Sequence, residues 1–220
     1  MSSESRFTVK PAEELSETEA KDAKTYWSSL PVPGFYKQPE THWSKFMADQ
    51  IIRLKPQSVL EFGCNVGRNL LALRDSAPGL RLQGIDINPE AVEFGRTERG
   101  LNLAQGDETF FTEQPADAFD VIFTVSVLDH LPNPLPVLRE MMRVARLGVL
   151  LLEPNLGAEG KVLQCFNSQT QDSPEATPYS YSWDYPRLCE GLNVTFSKQH
   201  YPLSGTKLGP YYWLYRLLKK

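Results

Sequence analysis

The segment Glu61-Phe62-Gly63-Cys64-Asn65-Val66-Gly67-Arg68-Asn69 places an acid in an apolar run, two spaced glycines in a loop, and a helix-forming stretch beyond. A strand passing through such a loop into a helix offers backbone N–H groups to a ligand. A dinucleotide fingerprint needs glycines at 63, 65 and 68 so that the backbone can approach a pyrophosphate. Only Gly63 fits; Asn65 and Arg68 occupy the other two places. Glu61 would also set a carboxylate against any pyrophosphate bound there. The loop suits a nucleoside-like ligand that is not a diphosphate. The competing reading is a tight turn with no ligand.

A second group of candidates follows the apolar run Phe119 to Phe123, where Asp129 and His130 stand together. In parallel sheets, ligands bind at the carboxyl edge, and an imidazole of ordinary pKa accepts a proton near pH 7. His130 is therefore a candidate base, with turn capping or packing beside the ligand as the alternative. Asp129 is a candidate for orienting a substrate amine or acting as the base, or it caps the next helix. The run Tyr179-Ser180-Tyr181-Ser182-Trp183-Asp184-Tyr185 alternates aromatics. If extended, it turns one aromatic face outward, where Tyr179 and Tyr181 can hold a flat or sugar-like acceptor; otherwise it is a lid packed on the sheet. His200 reads as structural and Cys64 as a small filler.

These groups need a scaffold, and the hydrophobic rhythm supplies one. Short apolar runs at 58–62, 80–86, 101–104, 119–123 and 149–152 alternate with helical patterns at 66–74, 89–97 and 134–144. That alternation predicts an α/β fold, a doubly wound parallel sheet with helices on both faces. A helix over 41–54 precedes it, and 183–192 reads as one more. The segments 193–201 and 211–217 read as strands joined by too few residues for a helical crossover, so they pair antiparallel. Residues 1–24 are acidic and polar and read as a mobile arm or solvated helix. Residues 1–55 thus form an arm and helical cap, and 56–220 the core. Residues 155–178 are rich in Gly, Asn, Gln, Ser and Pro and read as a lid or binding loop, part of a substrate insertion around 155–185.

The chain has 220 residues, 41% hydrophobic and 23% charged, with a formal net charge of −4. No basic block matches a run of phosphates, so nucleic acid is not expected as a partner. The longest purely apolar run, Val149 to Leu152, is far too short for a membrane span. The start, Met-Ser-Ser-Glu-Ser-Arg, has no secretory pattern. Three scattered cysteines form no metal-ligand pattern. The expectation is a cytoplasmic monomer or homodimer without a metal.

Residue for residue, Glu61, Gly63, Asn65 and Gly67 resemble the first cofactor motif of class I S-adenosylmethionine (AdoMet) methyltransferases, with Asn65 in place of the middle glycine. The charges suit that cofactor. Its ammonium and sulfonium are attracted by an acidic strand end, and the N-terminus of the following helix can receive its carboxylate. Asn tolerates a left-handed turn. The resemblance extends to Asp86, an acid suited to both ribose hydroxyls. It assigns the adenine amino group to Asp107, with Glu108 in reserve. Ile87 and Thr124 complete the expected cofactor contacts. The stretch Asp120 to Pro134 resembles the fourth-strand motif of the type 11 branch, and continues to Glu153-Pro154-Asn155. Of the family's Pro-Gly-Gly turn only Gly148 remains.

The resemblance implies a Rossmann-like, mostly parallel seven-stranded sheet with an antiparallel C-terminal hairpin, and methyl transfer to an oxygen or nitrogen of a small molecule with S-adenosyl-L-homocysteine (AdoHcy) as product. In related enzymes the N-terminal segment folds over the cofactor, so Tyr36 and Trp43 are expected to close the site. Arg68 faces the cofactor and pairs with a substrate carboxylate or makes a surface salt bridge. Two alternatives stand beside this reading: a nicotinamide oxidoreductase, against which the missing glycines count, and an AdoMet-binding partner subunit without turnover.

Overall fold

The computed structural model describes residues 7–11, 17–32, 34, 36–38, 41–165, 179–201 and 211–220. Residues 1–6 and 12–16 of the acidic arm, residues 166–178 of the expected lid and the 203–210 join lie outside them.

Seven strands form the main sheet, in the order β4-β3-β2-β5-β6-β10-β9. They are β2 (Ser58–Phe62), β3 (Arg81–Asp86), β4 (Leu103–Gln105), β5 (Phe119–Val125), β6 (Ala145–Pro154), β9 (Val194–His200) and β10 (Tyr212–Lys219). The pairs β2/β3, β2/β5, β3/β4 and β5/β6 are parallel. β10 runs antiparallel to β6 on one side and to β9 on the other. The fold is the expected Rossmann-like α/β sheet with its antiparallel C-terminal hairpin.

β2 is buried along its whole length, as central parallel strands covered on both faces must be. Side-chain alternation divides the core in two. Leu60, Phe62 and Ile122 pack with α5 (Leu135–Val144) and Tyr215. Val59 and Phe123 pack on the other face with Met47 and Ile51 of α2 (His42–Ile52) and Leu70 and Leu73 of α3 (Arg68–Ser76). Glu61 shares the parity of Val59, so it leaves β2 on the side of α2 and α3. On the same face lies α4 (Pro89–Arg99), which Asn88 caps by accepting from the Ala91 N–H, with Pro89 in its first turn. β6 runs well beyond the expected 149–152. Gly148 sits in it at φ 154°, and a Cβ there would lie 2.3 Å from the Leu217 carbonyl oxygen of β10. The approach of β10 thus explains the one glycine that the turn keeps.

Three elements differ from the sequence reading. A small antiparallel sheet joins β1 (Phe7–Pro11), β7 (Gly160–Cys165) and β8 (Tyr181–Ser182) in the order β1-β7-β8. Part of the expected arm and the start of the expected lid are therefore paired strands. Helix α1 (Glu17–Ser29) is docked on the core through Lys24 and Glu19. The helix expected over 183–192 is one turn, α6 (Tyr185–Leu188), followed by turns that pass through the left-handed Gly191 at φ 79°. No described helix is long and apolar enough to cross a membrane.

Candidate functional site

The glycine loop leaves β2 and turns against β3. Gly63 and Cys64 both donate their N–H to the Ile85 carbonyl, at 2.8 and 3.0 Å. Gly63 has φ 71°, and a Cβ there would sit 2.4 Å from Val127 Cγ2, so this glycine is required by the neighbouring loop and by its own backbone. Asn65 adopts φ 48°, so the replacement for the middle glycine keeps the left-handed turn. Its side-chain oxygen accepts from the Val66 N–H at 2.9 Å. Gly67, also left-handed, is the residue preceding α3.

Two buried acids flank this loop. Asp86 Oδ2 accepts from the Asn65 N–H at 2.6 Å, and Oδ1 from the Asn88 N–H at 2.8 Å. Burial pushes its carboxyl above the usual range, against these hydrogen bonds. Glu61 Oε1 accepts from Asn69 Nδ2 at 2.6 Å, while Oε2 is buried with no partner. Burial, aided by Asp86, pushes Glu61 up to about 8 despite the Asn69 hydrogen bond. Ile87 is half-buried beside Asp86. Cys64 is buried and unpaired, its thiol pushed up by burial, in keeping with a filler.

At the exit of β4, α1 meets the expected adenine acids. Lys24 Nζ lies 2.9 Å from Asp107 Oδ2 and 2.7 Å from Glu108 Oε1. Partial burial would raise Asp107, but hydrogen bonds from Thr109 and Lys24 outweigh it and hold the carboxyl at about 2. The far end of α1 is tied down too, since Asn88 Nδ2 donates to the Leu30 carbonyl at 2.7 Å. On its other flank, Glu19 pairs with Lys161 of β7 and accepts from the Tyr181 hydroxyl at 3.1 Å.

The exit of β5 carries a buried acid pair that sequence reasoning found only in half. The Asp129 N–H donates to Glu153 Oε2 at 3.3 Å, and Glu153 Oε1 accepts from Thr124 Oγ1 at 2.6 Å. Ser126 Oγ contacts both oxygens of Asp129 at 3.2 Å and the Tyr212 hydroxyl at 2.6 Å. Burial pushes Asp129 up to about 7 and, with the Asp129 charge beside it, Glu153 up to about 8. Two such acids a hydrogen bond apart share a proton near neutral pH. Thr124 is fully buried in this cluster, so the structure does not bring it to the open side of the loop. Glu153 was legible only as the acid closing the apolar run of β6.

His130 departs from the ordinary imidazole expected of it. Burial pushes it down to about 4 against a hydrogen bond at the Tyr179 carbonyl, so it is neutral at pH 7. Its Nδ1 lies 3.2 Å from that carbonyl. A carbonyl only accepts, so Nδ1 carries the proton and Nε2 the lone pair. Nε2 is 3.8 Å from Asp129 Oδ1. The Trp27 ring of α1 lies 4.1 Å from the imidazole, so Trp27 borders the candidate site.

The Arg68 guanidinium lies 4.9 Å from the Tyr36 ring and 5.5 Å from that of Trp43. Tyr36, its hydroxyl raised by burial, is within electrostatic reach of Arg68, Asp129 and Asp86. The structure thus gathers Tyr36 and Trp43 around Arg68, at the start of α3 beside the glycine loop. The aromatic run does not form an open face. Tyr181, Trp183 and Tyr185 are buried in the core, and only Tyr179 is half-exposed. Among the described residues no three side chains are grouped to hold a metal ion.

Comparison with known proteins agrees with this fold. Residues 60–151 match the model of a methyltransferase domain. Over this segment the chain is similar to methyltransferase domains. The chain is 30% identical over 107 residues to ajmaline N-methyltransferase of Rauvolfia serpentina, covering 44% of this chain and 35% of that one. It is 29% identical over 97 residues to the ubiquinone biosynthesis O-methyltransferase of Serratia proteamaculans, covering 42% and 39%. The chain therefore spans under half the length of these curated relatives. The plantazolicin methyltransferase BpumL, solved in complex with SAH, superposes with a TM-score of 0.65 at 16% identity over 95% of this chain and 97% of that one. Within the matched segment lie Glu61, Asp86, Asp107 and Asp129; Lys24 and Tyr36 lie before its start, and Glu153 lies just past its end.

Proposed function

We propose that the chain binds AdoMet at the carboxyl ends of β2, β3 and β4 and transfers its methyl group to a nitrogen or oxygen of a small-molecule acceptor. The observation that carries this reading is the left-handed loop from Gly63 to Gly67 held between two buried acids, one with an unpaired oxygen. Acid acceptors suit an ammonium and ribose hydroxyls and oppose a pyrophosphate. The residues present therefore fit AdoMet, which when bound supplies an activated methyl group on a cationic sulfur.

Each of the chain's groups has a distinct part. Asp86 spends one lone pair of Oδ2 on the loop and one of Oδ1 on the Asn88 N–H, which leaves others for the ribose hydroxyls. Asp107 and Glu108 line the adenine end, beneath Lys24, with Ile87 at its edge. Glu61 takes the ammonium. Tyr36, Trp43 and Arg68 close the mouth, so residues 1–55 act as a cap, and Tyr179 borders the acceptor from the 155–185 side. Tyr181 acts from behind, by holding Glu19 and hence α1. Neutral His130 presents Nε2 to the acceptor, and the Asp129–Glu153 pair behind it takes up a proton that the acceptor releases. Methyl transfer of this kind depends mostly on alignment, which the docked α1 and the ordered β5 exit supply. The two curated relatives named above act on nitrogen and on oxygen, so both acceptor classes belong to the reading.

The test is a methyl-release assay, detecting AdoHcy, over a panel of amine and hydroxyl metabolites. Turnover with at least one class, lost in Asp86→Ala, is the expected result. AdoMet binding without turnover on any acceptor would favour a non-catalytic AdoMet-binding subunit instead.

A further inference from the structure

Glu61 is 1% exposed and is held from one side only. Asn69 Nδ2 donates to its Oε1 at 2.6 Å, and Asn69 Oδ1 accepts from Ser44 Oγ at 2.7 Å. The Ser44 hydroxyl proton is thereby committed, so in the 2.9 Å contact between Thr41 Oγ1 and Ser44 Oγ it is Thr41 that donates. Thr41 caps α2. A hydrogen-bonded chain therefore runs from the cap of α2 through Ser44 and Asn69 to the carboxyl at the glycine loop. Ser44 is fully buried and Asn69 is 9% exposed, so water is not an easy substitute for either link.

The chain ends on an oxygen with nothing to bind. Glu61 Oε2 is buried and unpartnered, a state that costs free energy until a donor arrives. The groups facing Glu61 are Asp86 from β3, Cys64 in the loop, and Arg68, Asn69 and the Leu70 N–H from α3. Glu61 thus faces a second acid and one guanidinium, and that guanidinium lies over the rings of Tyr36 and Trp43. A cationic donor fits that place, because it would meet the ionised carboxyl with opposite charge.

We propose that Ser44 and Asn69 are positioning residues that aim Glu61 Oε2 at the ammonium of the bound ligand, so that helix α2 governs recognition of the ligand's amino-acid end. This inference rests on the AdoMet reading of the site. It separates two halves of the ligand: the nucleoside end is held from β3 and β4, and the amino-acid end through a relay anchored outside the methyltransferase domain. Binding of the ammonium ionises Glu61, because a cation against the carboxyl lowers its proton affinity.

Calorimetry with AdoHcy and with 5′-methylthioadenosine, which lacks the ammonium and carboxylate, reads this directly. Asn69→Ala is expected to weaken AdoHcy about tenfold while 5′-methylthioadenosine changes by less than about twofold. Ser44→Ala leaves the Asn69–Glu61 bond in place and should show the same selectivity at smaller size; it carries the comparison if Asn69→Ala does not fold. In the parent, AdoHcy binding at pH 7 should release protons in buffers of differing ionisation enthalpy, and 5′-methylthioadenosine binding should release fewer. Equal losses for both ligands would make the relay a structural element only, and unchanged AdoHcy binding in both variants would remove it altogether. If the parent binds 5′-methylthioadenosine but not AdoHcy, this inference fails alone. If it binds neither, the AdoMet reading fails with it.

Discussion

The Asp129 backbone N–H lies 3.3 Å from Glu153 Oε2, which ties the exit of β5 to the end of β6 through two buried carboxyl groups. Around them stand Thr124, Ser126 and Tyr212 as hydrogen-bonding groups, and Tyr185, whose hydroxyl is buried without a partner. The acids are satisfied by neutral donors and not by a lysine or arginine, so burial dominates their titration.

That pair makes stability depend on pH with a definite sign. Both groups hold their protons in the folded state up to about 7 and about 8, whereas the unfolded chain loses them near about 4. The folded state therefore binds more protons between those limits, and these groups subtract stability as pH rises through that window. Asp129→Asn removes one acid and supplies a donor toward Glu153. Its melting temperature relative to the parent should rise from pH 5 to pH 8, with a gain on the order of 1 kcal/mol at the upper end. A difference that does not vary with pH would mean that the two acids do not share a proton.

His130 should act in the opposite sense. Its folded pKa of about 4 lies below that of an exposed imidazole, so the unfolded state takes up the proton first and stability falls as pH drops from about 6.5 towards 4. His130→Gln, which keeps a donor for the Tyr179 carbonyl, should gain on the parent in melts taken at successively lower pH. In turnover, His130→Gln should keep the shape of the parent's pH–rate profile, and loss in that variant of a limb near the ordinary imidazole pKa would restore the ordinary base that the sequence suggested.

Gly63 carries both strain and crowding. Gly63→Ala would bring a Cβ to 2.4 Å from Val127 Cγ2 at φ 71°. A loss of about 1–3 kcal/mol is expected. Adding Val127→Ala should recover the crowding part and leave the backbone part, as chemical denaturation of the two variants will show. Full recovery would mean that the left-handed backbone costs nothing.

The sheet was readable because its strands are apolar runs spaced by helices: 58–62 matches β2 without adjustment. The loop was readable through Glu61, Gly63 and Gly67, whose types are dictated by backbone shape and charge. The small sheet was not, because β1 and β7 pair across some 150 residues of chain and neither carries a local signal for the other. Asn69, Ser44 and Lys24 were missed for a related reason. Polar residues on helices look like solvated surface until the fold sets them against an acid. The aromatic run 179–185 misled because alternation shows that one face is shared, not whether that face meets water or core.

Docking of α1 rests on Lys24 at one flank and Glu19 at the other. Lys24→Ala removes a half-exposed ion pair worth less than about 1 kcal/mol for stability, so melts should move little. The helix should nonetheless open more often, seen as faster amide exchange over residues 17–29 and faster AdoHcy release. Exchange as slow as in the parent would show that Asn88 and Glu19 suffice to hold it.

The most direct measurement is titration of AdoMet and, separately, NAD into the parent chain and into Asp86→Ala. The account predicts one AdoMet bound per chain, no heat from NAD, and at least a tenfold weaker AdoMet affinity in Asp86→Ala, whose carboxylate would no longer meet the ribose hydroxyls. No binding of AdoMet, binding of NAD in its place, or an unchanged AdoMet affinity in a folded Asp86→Ala protein would contradict it.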